Sequence, residues 1–182
     1  VPEMKNNNLK NNLRHYQEEA FENFIFLNNP NNSDITEDIL RQFNSKNNQH
    51  LFHMATGAGK TMLMAATIIY LYSLGYKRFI FTTNQTNLIS KTKLNLLPTL
   101  KSSKCEFKDK FIEVEGKKIQ IKEVDNFTKY GNDIEILFTT IHNLHNKINE
   151  VKENSINLND IKNQDIVILA DEAHHFQSNS KS

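Results

Sequence analysis

The chain predicts an α/β fold with a mostly parallel sheet and crossover helices, on three observations. Short apolar runs rich in β-branched residues alternate with segments of helical periodicity. Two of these runs lead straight into polar strings, Ala55-Thr56-Gly57-Ala58-Gly59-Lys60-Thr61 and Asp171-Glu172-Ala173-His174-His175. Open α/β sheets present ligand-binding residues in just this way, at the carboxyl ends of their strands. Third, two alternating segments around Gly116 interrupt the pattern as a β-hairpin.

Taken in order, residues 1–12 are polar and are expected to form a loosely ordered, flexible start, with one folded domain covering 13–182. A helix is predicted from His15 to Leu27 because Tyr16, Ala20, Phe21, Phe24 and Ile25 recur on one face. An Asn/Pro loop leads to a second helix starting near Ser33-Asp34, with Ile35, Ile39, Leu40 and Phe43 on its apolar side. A strand over 50–54, a helix over 60–73, a strand over 78–83 and a helix over 85–98 follow. The segments 111–115 and 118–122 form the hairpin, read as an insertion or an edge extension of the sheet. A strand at 134–140, a helix from Ile141 to about Val151, a short helix near 158–162 and a strand at 165–170 complete the expectation.

Composition narrows the function. The 182 residues suffice for one well-packed α/β domain. No apolar stretch approaches the roughly twenty residues of a membrane span, and no signal-like apolar core follows a charged start. Lys and Arg number 22 against 21 acidic residues, so nucleic-acid binding requires a local patch; Lys77, Arg78, Lys91, Lys93, Lys101 and Lys104 are the candidates. Cys105 is alone, which excludes an internal disulfide and fits a reduced, cytoplasmic setting. His174 and His175 are adjacent, but no further ligands at metal spacing accompany them.

The two polar strings together describe a nucleoside triphosphatase site. Gly57 and Gly59 lack Cβ atoms, so the loop from Thr56 through Ala58 to Lys60 can adopt left-handed turns that aim backbone N–H groups at phosphate oxygens. The helix that follows adds its positive end. Lys60 supplies a cation for the β- and γ-phosphates, and the Thr61 hydroxyl is the expected Mg²⁺ ligand. Asp171 would hold the same ion through water, because Mg²⁺ gives up its hydration shell reluctantly. Glu172 is the candidate that orients and deprotonates the attacking water. The full phosphate-loop pattern has a further Gly six residues before its Lys; here that position is Met54.

These strings resemble motifs I and II of superfamily 2 helicases and translocases of the DEAH type, whose first motif does not require the leading Gly. The resemblance is nearest to the helicase (Res) subunits of type III restriction enzymes. It is carried also by Leu13-Arg14-His15-Tyr16-Gln17, Met54-Ala55-Thr56-Gly57, Thr139-Thr140-Ile141-His142-Asn143-Leu144-His145 and the doubled His174-His175. It implies the first RecA-like P-loop NTPase domain of a DNA helicase or translocase, with ATP and Mg²⁺ as cofactors. Gln17 becomes the adenine reader, with Arg14 or Tyr16 stacking on the base; the bland alternative is an ordinary solvated helix residue. Lys60 and Glu172 become catalytic, and His174 couples the γ-phosphate to later motifs. Thr83, Asn84 and Gln85, with Thr140 and His142, become contacts to a nucleic-acid backbone, although Thr and Asn at strand ends also cap helices. The implied partners are double-stranded DNA, of which one strand is tracked, and a modification (methyltransferase) subunit. Neither a third motif nor a second motor domain follows Glu172 in these residues, so the segment is expected to be a fragment that binds nucleotide better than it hydrolyses it. An RNA helicase domain and a nucleotide-regulated DNA-binding scaffold without turnover are the alternatives.

Overall fold

A computed structural model describes residues 8–28, 49–128, 130–149 and 165–172. Four helices and five strands follow in chain order: α1 (His15–Asn28), α2 (Lys60–Ser73), β1 (Arg78–Thr83), α3 (Thr86–Leu96), β2 (Phe111–Val114), β3 (Lys117–Glu123), β4 (Ile134–Thr140), α4 (Ile141–Asn149) and β5 (Ile166–Ala170). The strands form one sheet in the order β2-β3-β4-β1-β5. All pairings are parallel except that of the hairpin strands β2 and β3. The expected helices near Ser33 and 158–162 lie outside the described residues.

The core lies on the α2 side of the sheet. Leu63, Ala66 and Ile68 of α2 meet Phe79 and Phe81 of β1, Ile134 and Ile136 of β4, and Ile119 and Ile121 of β3. The pleat sends alternate residues to the other face, where Ile80 and Leu137 pack with Leu144 of α4. Both faces are therefore apolar, as a covered parallel sheet requires.

One of two open alternatives holds for the hairpin, and two other expectations change. The hairpin is an edge extension: β3 pairs in parallel with β4 from Ile121↔Ile134 to Glu123↔Ile136. Its two-residue turn has φ of 51° at Glu115 and 74° at Gly116, the sign pattern of a type I′ turn. First, residues 50–54 form no strand. Leu51 is 81% exposed, and the segment is held instead by ring contacts to α1, His50 and Phe52 lying 4.9 and 5.5 Å from the Phe24 ring. Second, the start of the chain is docked from Asn8 onward. Leu9 is buried and bridges to Phe107, while the Asn8 side chain accepts from Glu113 N–H (2.8 Å) and donates to Glu113 C=O (2.7 Å), completing a strand edge.

Among the described residues no helix is long and apolar enough to cross a membrane.

Candidate nucleotide-binding site

Because β4, β1 and β5 are parallel, the segments that leave them all emerge at one edge: Ile141-His142, Asn84-Gln85 and Asp171-Glu172. α2 joins the amino end of β1 through residues 74–77 and packs along Phe79 and Phe81, so its first residue lies at that same carboxyl edge. The phosphate loop and the acidic pair are thus brought together from opposite ends of the chain.

Within the loop, Gly57 and Gly59 have φ of 78° and 77°, in the left-handed region where a side chain is strained. Gly59 is the residue before α2, and no side chain caps that helix. The loop closes on itself through Ala58 N–H to Ala55 C=O (3.2 Å). The N–H groups of Gly57, Gly59, Lys60 and Thr61 enter none of the described backbone bonds, so unpaired donors and the helix's positive end gather at one point. Lys60 is half-buried and, among the described residues, has no carboxylate partner.

The loop is held from α1. Gln17 is buried, and its Nε2 donates to the carbonyls of both Ala58 and Gly59 at 3.0 Å, while its Oε1 accepts from Arg14 N–H at 2.8 Å. Tyr16 Oη also donates to Ala58 C=O (2.9 Å) and accepts from Arg14 Nη1 (3.1 Å). A Cβ on Gly59 would lie 2.4 Å from Gln17 Nε2, so any side chain there, besides its strained φ, would displace the Gln17 amide from the loop carbonyls. Both amide hydrogens of Gln17 are thus engaged by loop carbonyls, and its side chain reaches the loop. Arg14 and Tyr16 stay exposed beside it. Tyr16 as a loop ligand was hidden in the sequence, where its spacing fits the apolar face of the helix.

On the facing strand, Asp171 N–H donates to Thr82 C=O (3.0 Å), extending the β1–β5 register by one residue. By alternation from Val167 and Leu169, which pack on the α2 side, Asp171 belongs to that side too. Its Oδ1 accepts from Glu172 N–H at 3.0 Å. Glu172 has φ of 56°, an unusual conformation for a residue with a side chain, and its Oε2 is buried without a partner among the described residues. His174 lies outside the described residues.

This arrangement fits a magnesium nucleotide. No group of three or more His, Cys, Asp and Glu residues among those described could hold a metal. Mg²⁺ held by one hydroxyl, one carboxylate and the substrate's own phosphates needs no such cage, and Thr61 and Asp171 would supply that pair.

The residues expected to contact nucleic acid divide. Thr83 is fully buried and Thr140 nearly so, the latter accepting Asn143 N–H (3.2 Å) as the N-terminal cap of α4, so neither presents a hydroxyl at the surface. Asn84, Gln85 and His142 are exposed at the carboxyl edge. Of the basic candidates, Lys77 and Arg78 stand at the amino end of β1, donating to the Gly131 and Thr128 carbonyls on the far edge of the sheet. Lys93 is paired with Glu123 and lies over the Phe138 ring. Lys91, Lys101 and Lys104 remain exposed.

Residues 10–182 match the family model described as "Type III restriction enzyme, res subunit". The whole chain is 37% identical to the probable type III restriction-modification enzyme HindVIP Res subunit of Haemophilus influenzae, and it spans 34% of that protein's length. No solved structure matches the chain. With the parallel sheet, the phosphate loop and the facing acidic pair in place, this match shows that the chain belongs to the type III restriction enzyme Res-subunit family and forms its RecA-like P-loop domain.

Proposed function

We propose that this domain is the first motor domain of a longer Res subunit, binding ATP with Mg²⁺ and hydrolysing it to drive movement along double-stranded DNA. The observation that carries the reading is the uncapped start of α2, where left-handed glycines and Lys60 face the strand end bearing Asp171 and Glu172. Lys60 neutralises the β- and γ-phosphates, the loop N–H groups bind their oxygens, and Thr61 and Asp171 hold the ion. The bound ion supplies charge neutralisation at the transferring phosphoryl group. Glu172 orients the attacking water and accepts its proton. Arg14 and Tyr16, exposed next to the loop, receive the base; Gln17 sets the loop beneath it.

Asn84, Gln85 and His142 face the tracked strand, since exposed amide and imidazole groups at strand ends bind a phosphate backbone without reading sequence. A modification subunit supplies the sequence recognition that these three residues lack. His174 is proposed to couple the γ-phosphate to motion.

Calorimetry with ATP and Mg²⁺ on wild type and Lys60→Ala tests the site. Affinity should fall at least about tenfold in the variant, since losing a charge-assisted contact costs roughly 1.5–3 kcal/mol. Equal affinity in both proteins would remove the loop from the mechanism.

A further inference from the structure

Three side-chain oxygens are buried with no hydrogen-bond partner among the described residues: Thr82 Oγ1, Thr83 Oγ1 and Glu172 Oε2. Burying a polar atom unpaired is unfavourable, and native chains satisfy nearly all such atoms. All three residues stand at the ends of the adjacent strands β1 and β5, which Asp171 N–H and Thr82 C=O hold together. They are also complementary, because a hydroxyl can donate while an ionised carboxylate only accepts.

The pleat separates the two threonines. Thr82 follows Ile80 on the face that packs with Leu137 and Leu144. Thr83 follows Phe79 and Phe81 on the α2 face, level with Asp171 and on the side of the sheet that carries the phosphate loop. The next residues, Asn84 and Gln85, are exposed. Thr83 therefore stands between the surface assigned to the DNA strand and the carboxylate assigned to the attacking water.

Resting on the function proposed above, we infer that Thr83 is a positioning residue for hydrolysis, its hydroxyl donating to the Glu172 carboxylate once the site closes on ATP. In the structure the two groups are unpaired, and Glu172 is held in a left-handed backbone conformation. Strand contact at Asn84 and Gln85 moves the end of β1 and so favours the hydrogen bond. DNA then stimulates turnover by fixing the carboxylate on the water, leaving the contacts of Lys60 and Thr61 to the phosphates unchanged.

The test uses the complete Res subunit with its modification partner, comparing wild type with Thr83→Val, Thr83→Ser and Thr82→Val. DNA-stimulated ATP hydrolysis, nucleotide affinity by calorimetry and thermal melting without nucleotide are measured on each. Thr83→Val should lower kcat about ten- to a hundredfold, the cost of a misplaced catalytic group. KM and nucleotide affinity should stay within about twofold, because the ground-state contacts are untouched. Removing an unpaired hydroxyl should also raise the melting temperature of this domain by about 2–4 °C. Thr83→Ser should recover most of the turnover, and Thr82→Val should melt higher with normal kcat.

Wild-type kcat in Thr83→Val, a Ser variant as slow as the Val variant, or equal slowing by Thr82→Val would each overturn the inference alone. Absence of DNA-stimulated turnover in the wild type would instead overturn the motor reading, and this inference with it.

Discussion

Gly59 and Gln17 carry the tightest constraint at the scale of single residues. Substituting Gly59 by Ala adds a methyl group 2.4 Å from Gln17 Nε2 and places a side chain at φ of 77°. The variant should lose about 1–3 kcal/mol of stability, measured by urea denaturation, and its ATP affinity should fall as the loop shifts. Gln17→Ala leaves the carbonyls of Ala58 and Gly59 without their amide donor. On the proposal that Gln17 positions the loop rather than the base, affinities for ATP and GTP should drop together by about tenfold, near the cost of one unpaired buried group. Competition titrations decide this: a selective loss of ATP over GTP would return adenine reading to Gln17.

Elements were legible wherever local periodicity and sheet pairing agree. The 134–140 and 78–83 strands and the helix from Lys60 to Ser73 have the expected bounds, because both sheet faces are covered and α2 is apolar almost all round. Residues 50–54 are as apolar as a strand, but periodicity does not reveal whether a neighbouring strand is available to pair, and here Phe24 of α1 is the neighbour. The docking of Asn8 was invisible for a related reason, since its partner Glu113 is distant in sequence. In the β2–β3 turn, Glu115 occupies a position with φ of 51° that Asn adopts more readily. Glu115→Asn should raise stability by about 0.5–1 kcal/mol in a denaturant titration.

Asp133 closes the other side of this element, accepting Gln120 N–H (2.9 Å) and pairing with Lys122. Partial burial raises its carboxyl pKa, but these two partners outweigh burial and hold it below the ordinary value of 3.8. A depressed carboxyl pKa stabilises the fold above the unfolded value and loses that contribution as pH falls through the folded one. Asp133→Asn should therefore destabilise the domain at pH 7 by at most about 1 kcal/mol, given its solvent exposure, with the difference vanishing once the pH falls well below 3.8. A constant difference across that range would show that packing, not charge, is responsible.

At the scale of the whole molecule, one sheet edge gathers the described residues that the proposed function uses. The phosphate loop, Asp171-Glu172, Asn84-Gln85 and His142 come from distant parts of the sequence, and parallel pairing of β4, β1 and β5 with the packing of α2 along β1 brings them to one edge. The left-handed glycine loop before α2 and the acidic pair at the end of β5 were readable as strings, because Gly, Lys, Thr, Asp and Glu at those spacings serve few other purposes. The burial of the residues expected to meet nucleic acid was not readable. Thr83 and Thr140 occupy the same strand ends as the exposed residues, and only tertiary burial separates a surface hydroxyl from a helix cap.

The most direct measurement of the motor reading is DNA-stimulated ATP hydrolysis by the complete Res subunit and its modification partner, with Glu172→Gln set against wild type. Nucleotide affinity should persist in the variant, since Glu172 acts on water rather than on bound ATP, while turnover falls by about a hundredfold or more. Turnover within about threefold of wild type would contradict the account, because a general base cannot be replaced by an amide at so small a cost.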